Sequence, residues 1–195
     1  VHKYSKDFIK GLKDFGMLTT AKHFPGHGDT ETDSHSALAM IPSDSARLWN
    51  IELPPFRYAI EAGVDAVMIA HVSAPDFQRH SEVPASLSSF WIQDILRKEM
   101  SFNGAVITDA MGMGGIIKNY SDDYAIVETI KAGSDIIIQN DRLSHFIDVI
   151  EKAVLENEID EDQINRSALK VLKMKEKIVL HKERLINSYN THRTI

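Results

Sequence analysis

Residues 22–35, KHFPGHGDTETDSH, carry a high density of side chains that can exchange protons or bind a cation. The segment holds three histidines, two aspartates and one glutamate, and it is interrupted by Pro25, Gly26 and Gly28. Proline and glycine both disfavour the interior of a helix, so a helix is not predicted here. Three interpretations are open for it: a polar surface loop, a metal site and a proton-transfer site.

A metal site could use the imidazole and carboxylate groups of this segment, because Zn²⁺ favours such ligands. The candidate ligands are His23, His27, Asp29, Asp33 and His35. The Pro-Gly pair between His23 and His27 keeps these two rings from sharing one helical face, as histidines in an H-x-x-x-H pair normally do. We therefore expect no bound metal.

A proton-transfer site could use the triplet Asp33-Ser34-His35. The carboxylate of such a triplet can hold the imidazole in one tautomer and raise its basicity. An imidazole that titrates near neutral pH can donate and accept a proton in one catalytic cycle. The triplet alone is a weak signal, so the surface-loop interpretation remains open at this point.

Two other residues are candidates outside this segment. His71 is either a core histidine satisfied by a backbone carbonyl or a site residue. Asp109, in VITDAMGMGG, could be a nucleophile, a metal ligand or a helix N-cap, and its residue type alone favours capping. The glycines after Asp109 match neither the dinucleotide-binding pattern nor the P-loop, so nucleotide binding is not predicted.

Four apolar runs bounded by turn residues predict short buried strands, and the amphipathic stretches between them predict helices. The strands are predicted at 18–24, 65–72, 105–108 and 135–138. AIEAGVDAVMIAH and TIKAGSDIIIQN share one pattern, in which a helix ends at Ala-Gly and an Asp opens the next strand. Gly63 and Gly133 suit the left-handed position after a helix. The sequence thus predicts one βα unit used four times.

Capping residues predict where the helices begin. They are Pro54 and Pro55, Ser88 or Ser89, and Ser121 with Asp122 and Asp123. Residues 160–182 predict a long terminal helix, because their apolar residues recur at roughly helical spacing.

The architecture follows from the apolar strands, because continuous apolar strands joined by helices indicate a parallel sheet covered on both faces. Polar residues follow the strands at their carboxyl ends, where α/β folds place their sites. They are Lys22 and His23, His71, Asp109, and Gln139 with Asn140. Polar groups from four successive strands favour a barrel mouth over the single crevice of a doubly wound sheet. Four units make half of a (β/α)8 barrel, and a lone half would leave two strand edges open, so we expect another half before residue 1.

The composition of the 195 residues limits the function classes. A hydrophobic content of 43% predicts a folded globular domain, and a formal net charge of −6 without a basic cluster argues against nucleic acid as a partner. No apolar run approaches the roughly 20 residues of a membrane span. The absence of cysteine excludes disulfides and cysteine-based metal or redox chemistry, but both a cytoplasmic and an exported protein remain open.

Three segments together resemble the family 3 glycoside hydrolases, in particular their bacterial β-N-acetylglucosaminidase branch. They are KHFPGHGDTETDSH, LPPFRYAIEAGVDAVMIAHV and PASLSSFWIQDILRKEMSFNGAVITDAMGM. The D-S-H loop distinguishes this branch from the β-glucosidases of the family. The family fold is a (β/α)8 TIM barrel. The resemblance implies that residues 1–182 are its C-terminal half, strands five to eight, and that residues 183–195 are a terminal tail or linker.

The resemblance also implies roles for individual residues. Asp109 matches the nucleophile, His35 the general acid/base, and Asp33 the residue that orients His35. The positions that match sugar-binding residues are Lys22, His23, His71 and Met113. No cofactor or metal is implied. Many members have a second Asp where this chain has Ala110, and sugar contacts from an Asp and an Arg in the earlier half are absent from this chain.

We therefore predict a retaining exo-β-N-acetylglucosaminidase that removes terminal GlcNAc from peptidoglycan fragments or chitooligosaccharides. This chain alone is expected to bind its substrate poorly, because the sugar contacts from the earlier half are missing. Two alternatives remain open: a metal-dependent hydrolase on a similar barrel, and a non-enzymatic half-barrel that serves as a binding module.

Overall fold

The computed structural model describes residues 2–28, 30, 37–41, 45–78, 82–139 and 141–178. Within them, the strands are β1 Thr20–Phe24, β2 Ala39–Met40, β3 Ala66–Ile69, β4 Val72–Ser73, β5 Ala105–Ala110 and β6 Ile136–Ile138. The α-helices are α1 His2–Asp14, α2 Ser45–Arg47, α3 Pro54–Glu61, α4 Gly114–Ile117, α5 Asp122–Ala132, α6 Leu143–Leu155 and α7 Glu161–Lys177. Two π-helices run Leu48–Glu52 and Phe90–Glu99, and a 3₁₀ turn covers Ala85–Leu87.

Four of the strands form one parallel sheet in the order β1-β3-β5-β6. Each strand lies beside the one before it in this series, and helices connect them. This order matches successive units of a barrel wall, whereas a doubly wound sheet reverses its strand order at a switch point. The four predicted strands and the predicted α/β class are confirmed. The short strands β2 and β4 pair separately, in parallel.

Helices α3 and α5 begin and end where the sequence predicted. Gly63 and Gly133 have φ angles of +80° and +115°, the left-handed conformation that disfavours residues with a Cβ atom. Helix α3 begins with the Pro54-Pro55 pair in its first turn. Ser121 caps α5, because its Oγ accepts a hydrogen bond from the Tyr124 N–H at 3.4 Å.

The serine cap predicted for the helix Phe90–Glu99 was wrong. Ser89 precedes this helix, but its side chain makes no capping hydrogen bond. The Ser88 hydroxyl instead accepts a hydrogen bond from Gln78 Nε2 at 3.0 Å, and Gln78 Oε1 accepts one from the Trp91 indole at 2.6 Å. The reason is burial: a buried amide must find hydrogen-bond partners, and the nearby hydroxyl satisfies it.

The main core packs α3 and the helix Phe90–Glu99 against β1 and β3. At its centre the Phe24 ring meets Phe56 and Trp91 edge-on, with centroid distances of 5.1 and 6.0 Å. Burial of a side chain such as Phe24, which has no exposed surface, contributes about 1.5–3 kcal/mol. Because Phe24 is the last residue of β1, this packing also fixes the carboxyl end of that strand. A second core, around Ile126, joins α5 to α6.

The outer strands among the described residues of the sheet are β1 and β6, and the helices next to them in the sequence, α1 and α6, expose large apolar side chains. On α1, Tyr4 and Phe8 are 79% and 68% exposed, and on α6, Leu143 is 68% exposed. Exposed apolar groups beside an open sheet edge are a surface that another element commonly covers. None of the described helices is both long and apolar enough to cross a membrane.

Two aspartates at the amino end of the sheet tie α7 to the strands. Asp65 accepts hydrogen bonds from the Thr19 N–H and hydroxyl at 3.0 and 3.1 Å and from Lys177 at 2.7 Å. Asp135, which opens β6, accepts hydrogen bonds from Ser167 at 2.8 Å and from Lys170 at 2.9 and 3.0 Å. Both carboxylates are therefore linked to the terminal helix.

Candidate active site

The carboxyl ends of the four sheet strands meet at one edge, as the sequence predicted. Ile69, the last residue of β3, pairs with Phe24 on one side and with Thr108 on the other. Ala110 of β5 pairs with Ile138 of β6. Side chains at or just after these positions therefore lie along a single edge, where enzymes of the barrel class place their sites.

The Asp109 carboxylate lies at this edge and is 19% exposed. Its Oδ1 accepts a hydrogen bond from the Ala110 N–H at 2.9 Å, and its Oδ2 lies 3.6 Å from His23 Nε2. The interpretation of Asp109 as a helix N-cap is wrong, because β5 continues through Ala110 and Met113 is the N-cap of α4. The carboxylate thus stays at the strand end, within reach of a ligand.

His23 and Lys22 reach the same edge from the end of β1. The His23 side chain is 31% exposed, and its distance to Asp109 is longer than a hydrogen bond, so the contact is electrostatic. Lys22 is exposed. The strand ends in two cis peptide bonds, Lys22–His23 and Phe24–Pro25. Lys22 and His23, which are predicted to bind sugar, therefore both lie near the carboxyl end of β1, and His23 is the neighbour of Asp109.

His71 follows β3 and is completely buried. Its Nδ1 lies 2.7 Å from Ser86 Oγ, and its Nε2 lies 3.0 Å from the Ala110 carbonyl oxygen. Burial is the largest influence on its pKa and lowers it, although the Ala110 carbonyl and the Asp109 charge act in the opposite direction. This geometry fits a core histidine satisfied by a backbone carbonyl. Direct contact of His71 with a sugar stays a prediction.

Met113 lies on the turn between β5 and α4 and is 7% exposed. Its N–H donates to the Ala110 carbonyl oxygen at 3.1 Å, so the turn folds back onto the strand end beside Asp109. Met111, on the same turn, is also buried. The prediction that Met113 lines a sugar subsite remains open, and its position next to Asp109 is compatible with it.

Asp33 and His35, the predicted acid/base pair, lie outside the described residues, and their roles stay predictions. Asp29, another metal-ligand candidate, also lies outside them. His23 and His27 are described, and their ring centroids are 6.2 Å apart. In the part of the chain that the structure describes, no three His, Asp or Glu side chains are grouped so that they could hold a metal ion.

A cavity of about 330 Å³ lies next to the site, between the turn after β5 and the start of α6. Gln139, at the end of β6, lines it and donates from Nε2 to Asp141 at 3.1 Å. The Gln139 Oε1 atom is buried and has no hydrogen-bond partner among the described residues. Arg142, at the rim, pairs with Asp122 at 2.7 Å. The cavity is thus lined both by helices and by residues that directly follow β5 and β6.

Sequence reasoning missed the side chains behind His71. Ser86 contacts the His71 ring, and the Thr129 hydroxyl donates to the Ser86 carbonyl oxygen at 2.6 Å. Serine and threonine in apolar segments carry no signal of such a contact, because their partners are 15 and 43 positions away in the sequence.

A parallel βα sheet in barrel order, with a carboxylate and histidines at the carboxyl ends of its strands, defines part of a barrel enzyme with its site at the mouth. The family model described as the glycosyl hydrolase family 3 N terminal domain matches residues 1–174. The chain belongs to glycosyl hydrolase family 3, which confirms the predicted family and the barrel fold.

Individual relatives agree with this assignment. The chain is 33% identical over 197 residues to a beta-hexosaminidase of Vibrio cholerae serotype O1 (strain M66-2), covering 97% of this chain and 58% of that protein. It is 40% identical over 146 residues to a beta-hexosaminidase of Idiomarina loihiensis, covering 73% of this chain and 42% of the relative.

A solved structure of a family 3 beta-N-acetylglucosaminidase from Paenibacillus sp. str. FPU-7 is similar, with a TM-score of 0.87 and 38% identity. The similarity covers 93% of this chain and 35% of that one. The chain thus spans roughly half, or less, of the relatives that it matches.

Proposed function

We propose that the protein that contains this chain is a retaining exo-β-N-acetylglucosaminidase. Its substrates are peptidoglycan fragments or chitooligosaccharides with a terminal GlcNAc. The observation that carries the proposal is the Asp109 carboxylate, partly exposed at the barrel mouth with His23 beside it at 3.6 Å. Similarity to the beta-hexosaminidases and to the Paenibacillus beta-N-acetylglucosaminidase supports the substrate class.

In the first step, Asp109 Oδ2 attacks the anomeric carbon of the GlcNAc residue while the bond to the leaving oxygen breaks. The His35 imidazolium gives its proton to that oxygen, so the leaving group departs neutral. The hydrogen bond from the Ala110 N–H to Oδ1 supports this assignment, because it leaves Oδ2 as the oxygen that can attack. The product is a glycosyl ester on Asp109.

In the second step, the neutral His35 ring removes a proton from water, and the water oxygen attacks the anomeric carbon. The bond between this carbon and Asp109 breaks, which restores the carboxylate and releases the sugar with retained configuration. Most glycosidases use two carboxylates for these roles. A neutral imidazole avoids a second negative charge beside the departing Asp109 carboxylate, and it titrates near neutral pH without deep burial.

We also propose that residues 1–182 form the C-terminal half of the barrel and require a complementary (β/α)4 half, in the same protein or in a second chain. Two observations support this. Among the described residues, no strand pairs with the outer side of β1 or β6, and the helices next to them in the sequence expose Tyr4, Phe8 and Leu143. The relatives are also longer than this chain. The isolated chain is expected to be inactive.

The test measures release of the chromophore from a chromogenic N-acetylglucosaminide by the intact protein. We expect Asp109→Ala to lower kcat by about 10³-fold or more, because no covalent intermediate can form. His35→Ala should slow natural oligosaccharides by about 10²–10⁴-fold and activated aryl glycosides less, because an activated leaving group needs less protonation. Mass spectrometry with a slow fluorinated substrate should find the sugar attached to Asp109.

Other outcomes would favour the alternatives. Loss of activity on chelation, restored by stoichiometric zinc, would indicate a metal-dependent hydrolase. Binding of chitooligosaccharides without turnover by the intact protein would indicate a binding module. An Asp109→Ala variant with activity within about tenfold of the wild type would contradict the proposed nucleophile, because removal of a covalent nucleophile costs far more.

A further inference from the structure

The protonation of His71 follows from its two hydrogen-bond partners. The Ala110 carbonyl oxygen, 3.0 Å from Nε2, can only accept, so Nε2 carries the ring proton. A neutral ring then has an acceptor at Nδ1, and Ser86 Oγ, 2.7 Å away, donates to it. Burial disfavours the imidazolium and lowers the His71 pKa, which agrees with a neutral ring. The hydrogen-bond partners and the burial of the ring together assign His71 as the neutral Nε2–H tautomer.

The residues behind His71 hold this tautomer in place. Thr129 of α5 donates its hydroxyl proton to the Ser86 carbonyl oxygen at 2.6 Å. Ser86, in the 3₁₀ turn, donates in turn to His71, and all three residues have no exposed surface. In a dry interior a hydrogen bond is strong and its loss is costly, so this chain of bonds orients the ring firmly.

The ring acts on the backbone next to the proposed nucleophile. The Ala110 carbonyl oxygen accepts from His71 Nε2 and also from the Met113 N–H at 3.1 Å. The N–H of the same peptide group, that of Met111, donates to Ile138 on β6 at 3.0 Å. The preceding N–H, that of Ala110, donates to Asp109 Oδ1 at 2.9 Å. Hydrogen bonds therefore engage the peptide groups on both sides of the Ala110 Cα atom, and the Asp109 carboxylate accepts one of them from the Ala110 N–H.

We propose that His71 is a positioning residue for the nucleophile: oriented by Ser86, it fixes the Ala110 carbonyl, and through Ala110 it sets the direction of the Asp109 carboxylate. The inference rests on the proposed function of Asp109 and adds a role that the sugar-contact prediction for His71 does not include. Because its ring nitrogens are both used inside the protein, His71 acts without touching the substrate.

The two roles predict different kinetics. A residue that contacts sugar in the ground state and the transition state alike affects mainly KM, whereas misdirection of the nucleophile affects kcat. Small errors in the placement of a reacting group can cost up to about 10²-fold in rate. Loss of one orienting hydrogen bond should therefore lower kcat measurably while substrate binding is preserved.

Ser86→Ala and Ser88→Ala form a matched pair for this test, made in the intact protein. Both serines are buried, and among the described residues each hydroxyl makes one side-chain hydrogen bond, Ser86 to His71 and Ser88 to Gln78. We expect Ser86→Ala to lower kcat by about tenfold with KM changed less than about twofold, and Ser88→Ala to change neither by more than about twofold. Equal losses of kcat in the two variants would overturn the proposal.

His71→Gln and His71→Leu test the ring itself. The glutamine amide can donate to the Ala110 carbonyl and accept from Ser86, whereas leucine can do neither. We expect glutamine to retain kcat within about tenfold of the wild type and leucine to lose about 10²-fold, with similar KM values for both. A rise in KM at unchanged kcat in His71→Gln would instead assign His71 to the sugar subsite.

A spectroscopic measurement tests the network without using activity. In ¹⁵N-histidine-labelled protein at about pH 8, above the ordinary histidine pKa of about 6.5, His71 should show an unprotonated Nδ1 and a protonated Nε2. Ser86→Ala should change the Nδ1 resonance, and Ser88→Ala should not. If Asp109→Ala remains active, the proposed nucleophile fails whatever this spectrum shows. A protonated Nδ1 in the wild type would overturn the His71 inference alone.

Discussion

Carboxylates occupy both ends of the parallel sheet, and their surroundings differ sharply. At the amino end, the Asp135 side chain is 3% exposed and accepts from Arg97 at 2.8 Å, from the Val106 N–H at 2.9 Å, and from Ser167 and Lys170 on α7. At the carboxyl end, Asp109 accepts one backbone hydrogen bond and has His23 at 3.6 Å. One carboxylate is saturated with donors, and the other retains an oxygen that can react.

This difference follows the repeated unit of the chain. The Asp that opens a strand after Ala-Gly occurs twice, as Asp65 and Asp135, and both times it binds α7. The strand ends are not repeated in this way, since they carry histidine in two units, aspartate in one and glutamine in one. Those side chains are His23, His71, Asp109 and Gln139. The repeated position therefore ties α7 to the sheet, and the varied positions include Asp109, the proposed nucleophile.

The largest expected effect comes from Asp109→Asn in the intact protein. Glycosidase activity should fall by about 10³-fold or more, because an amide is a poor nucleophile. The free energy of unfolding should change by less than about 0.5 kcal/mol, since the carboxylate is partly exposed and the amide oxygen can still accept from Ala110. Rates with a chromogenic substrate and urea unfolding measure the two effects. A large loss of stability would remove the contrast with Asp135.

Asp135→Asn should show the opposite pattern, with a loss of stability of about 3–5 kcal/mol. The amide cannot balance the two cations, and the Arg97 side chain, 14% exposed, would keep a charge without its buried partner. Asp94→Asn is the control, because Asp94 pairs with Lys98 at 2.6 Å on the surface and such pairs contribute about 0–1 kcal/mol. Denaturant unfolding of both variants checks this. Equal losses would contradict the structural role of Asp135.

Features set by local backbone chemistry were predictable from the sequence. Gly63 and Gly133 end helices, and the apolar runs form strands, because the causes lie within a few residues. The partners of Asp65 and Asp135 were not predictable: Lys177 is 112 positions from Asp65, and Lys170 is 35 from Asp135. Lys170 and Lys177 reach these two aspartates only because α7 packs against the amino end of the sheet.

The candidate site shows the same division. The strand-end position of Asp109 follows from the end of an apolar run, so the sequence could place it. The burial of His71 depends on Ser86 and on the turn after β5, which are distant in the sequence, so both interpretations of this histidine had to stay open. The roles of Asp33 and His35 were predicted from a motif and not from geometry, and the experiment with His35→Ala tests them.

Stability at acid pH should depend on Asp65. Burial is the largest influence on its pKa and would raise it, but the hydrogen bonds from Lys177 and Thr19 together outweigh burial, and the pKa is lowered. A lowered pKa stabilises the fold above the unfolded value of about 3.9, and this contribution is lost as the pH falls through the folded value.

Urea unfolding from about pH 7 to about pH 3 should therefore show a steeper loss below about pH 4 in the wild type than in Asp65→Asn. The variant lacks the titrating group, so it should be less stable at neutral pH and should approach the wild type in acid. Parallel curves for the two proteins would show that other carboxylates cause the acid loss.

The smallest effect is expected from a substitution of Lys177, the exposed partner of Asp65. The Lys177 side chain is 61% exposed although it bonds Asp65 at 2.7 Å, so Lys177→Met should cost less than about 1 kcal/mol. At about 1 M salt, charges are screened within about 3 Å, so the difference in the free energy of unfolding between Lys177→Met and the wild type should shrink. Asp65 keeps its two bonds from Thr19 in this variant, so hydrogen exchange should increase in the last turn of α7 and not in β1 or β3. If Lys177→Met instead destabilised the whole sheet as strongly as Asp135→Asn, the amino end would depend on the exposed lysine and not on the buried carboxylates, and the contrast between the two ends would need another explanation.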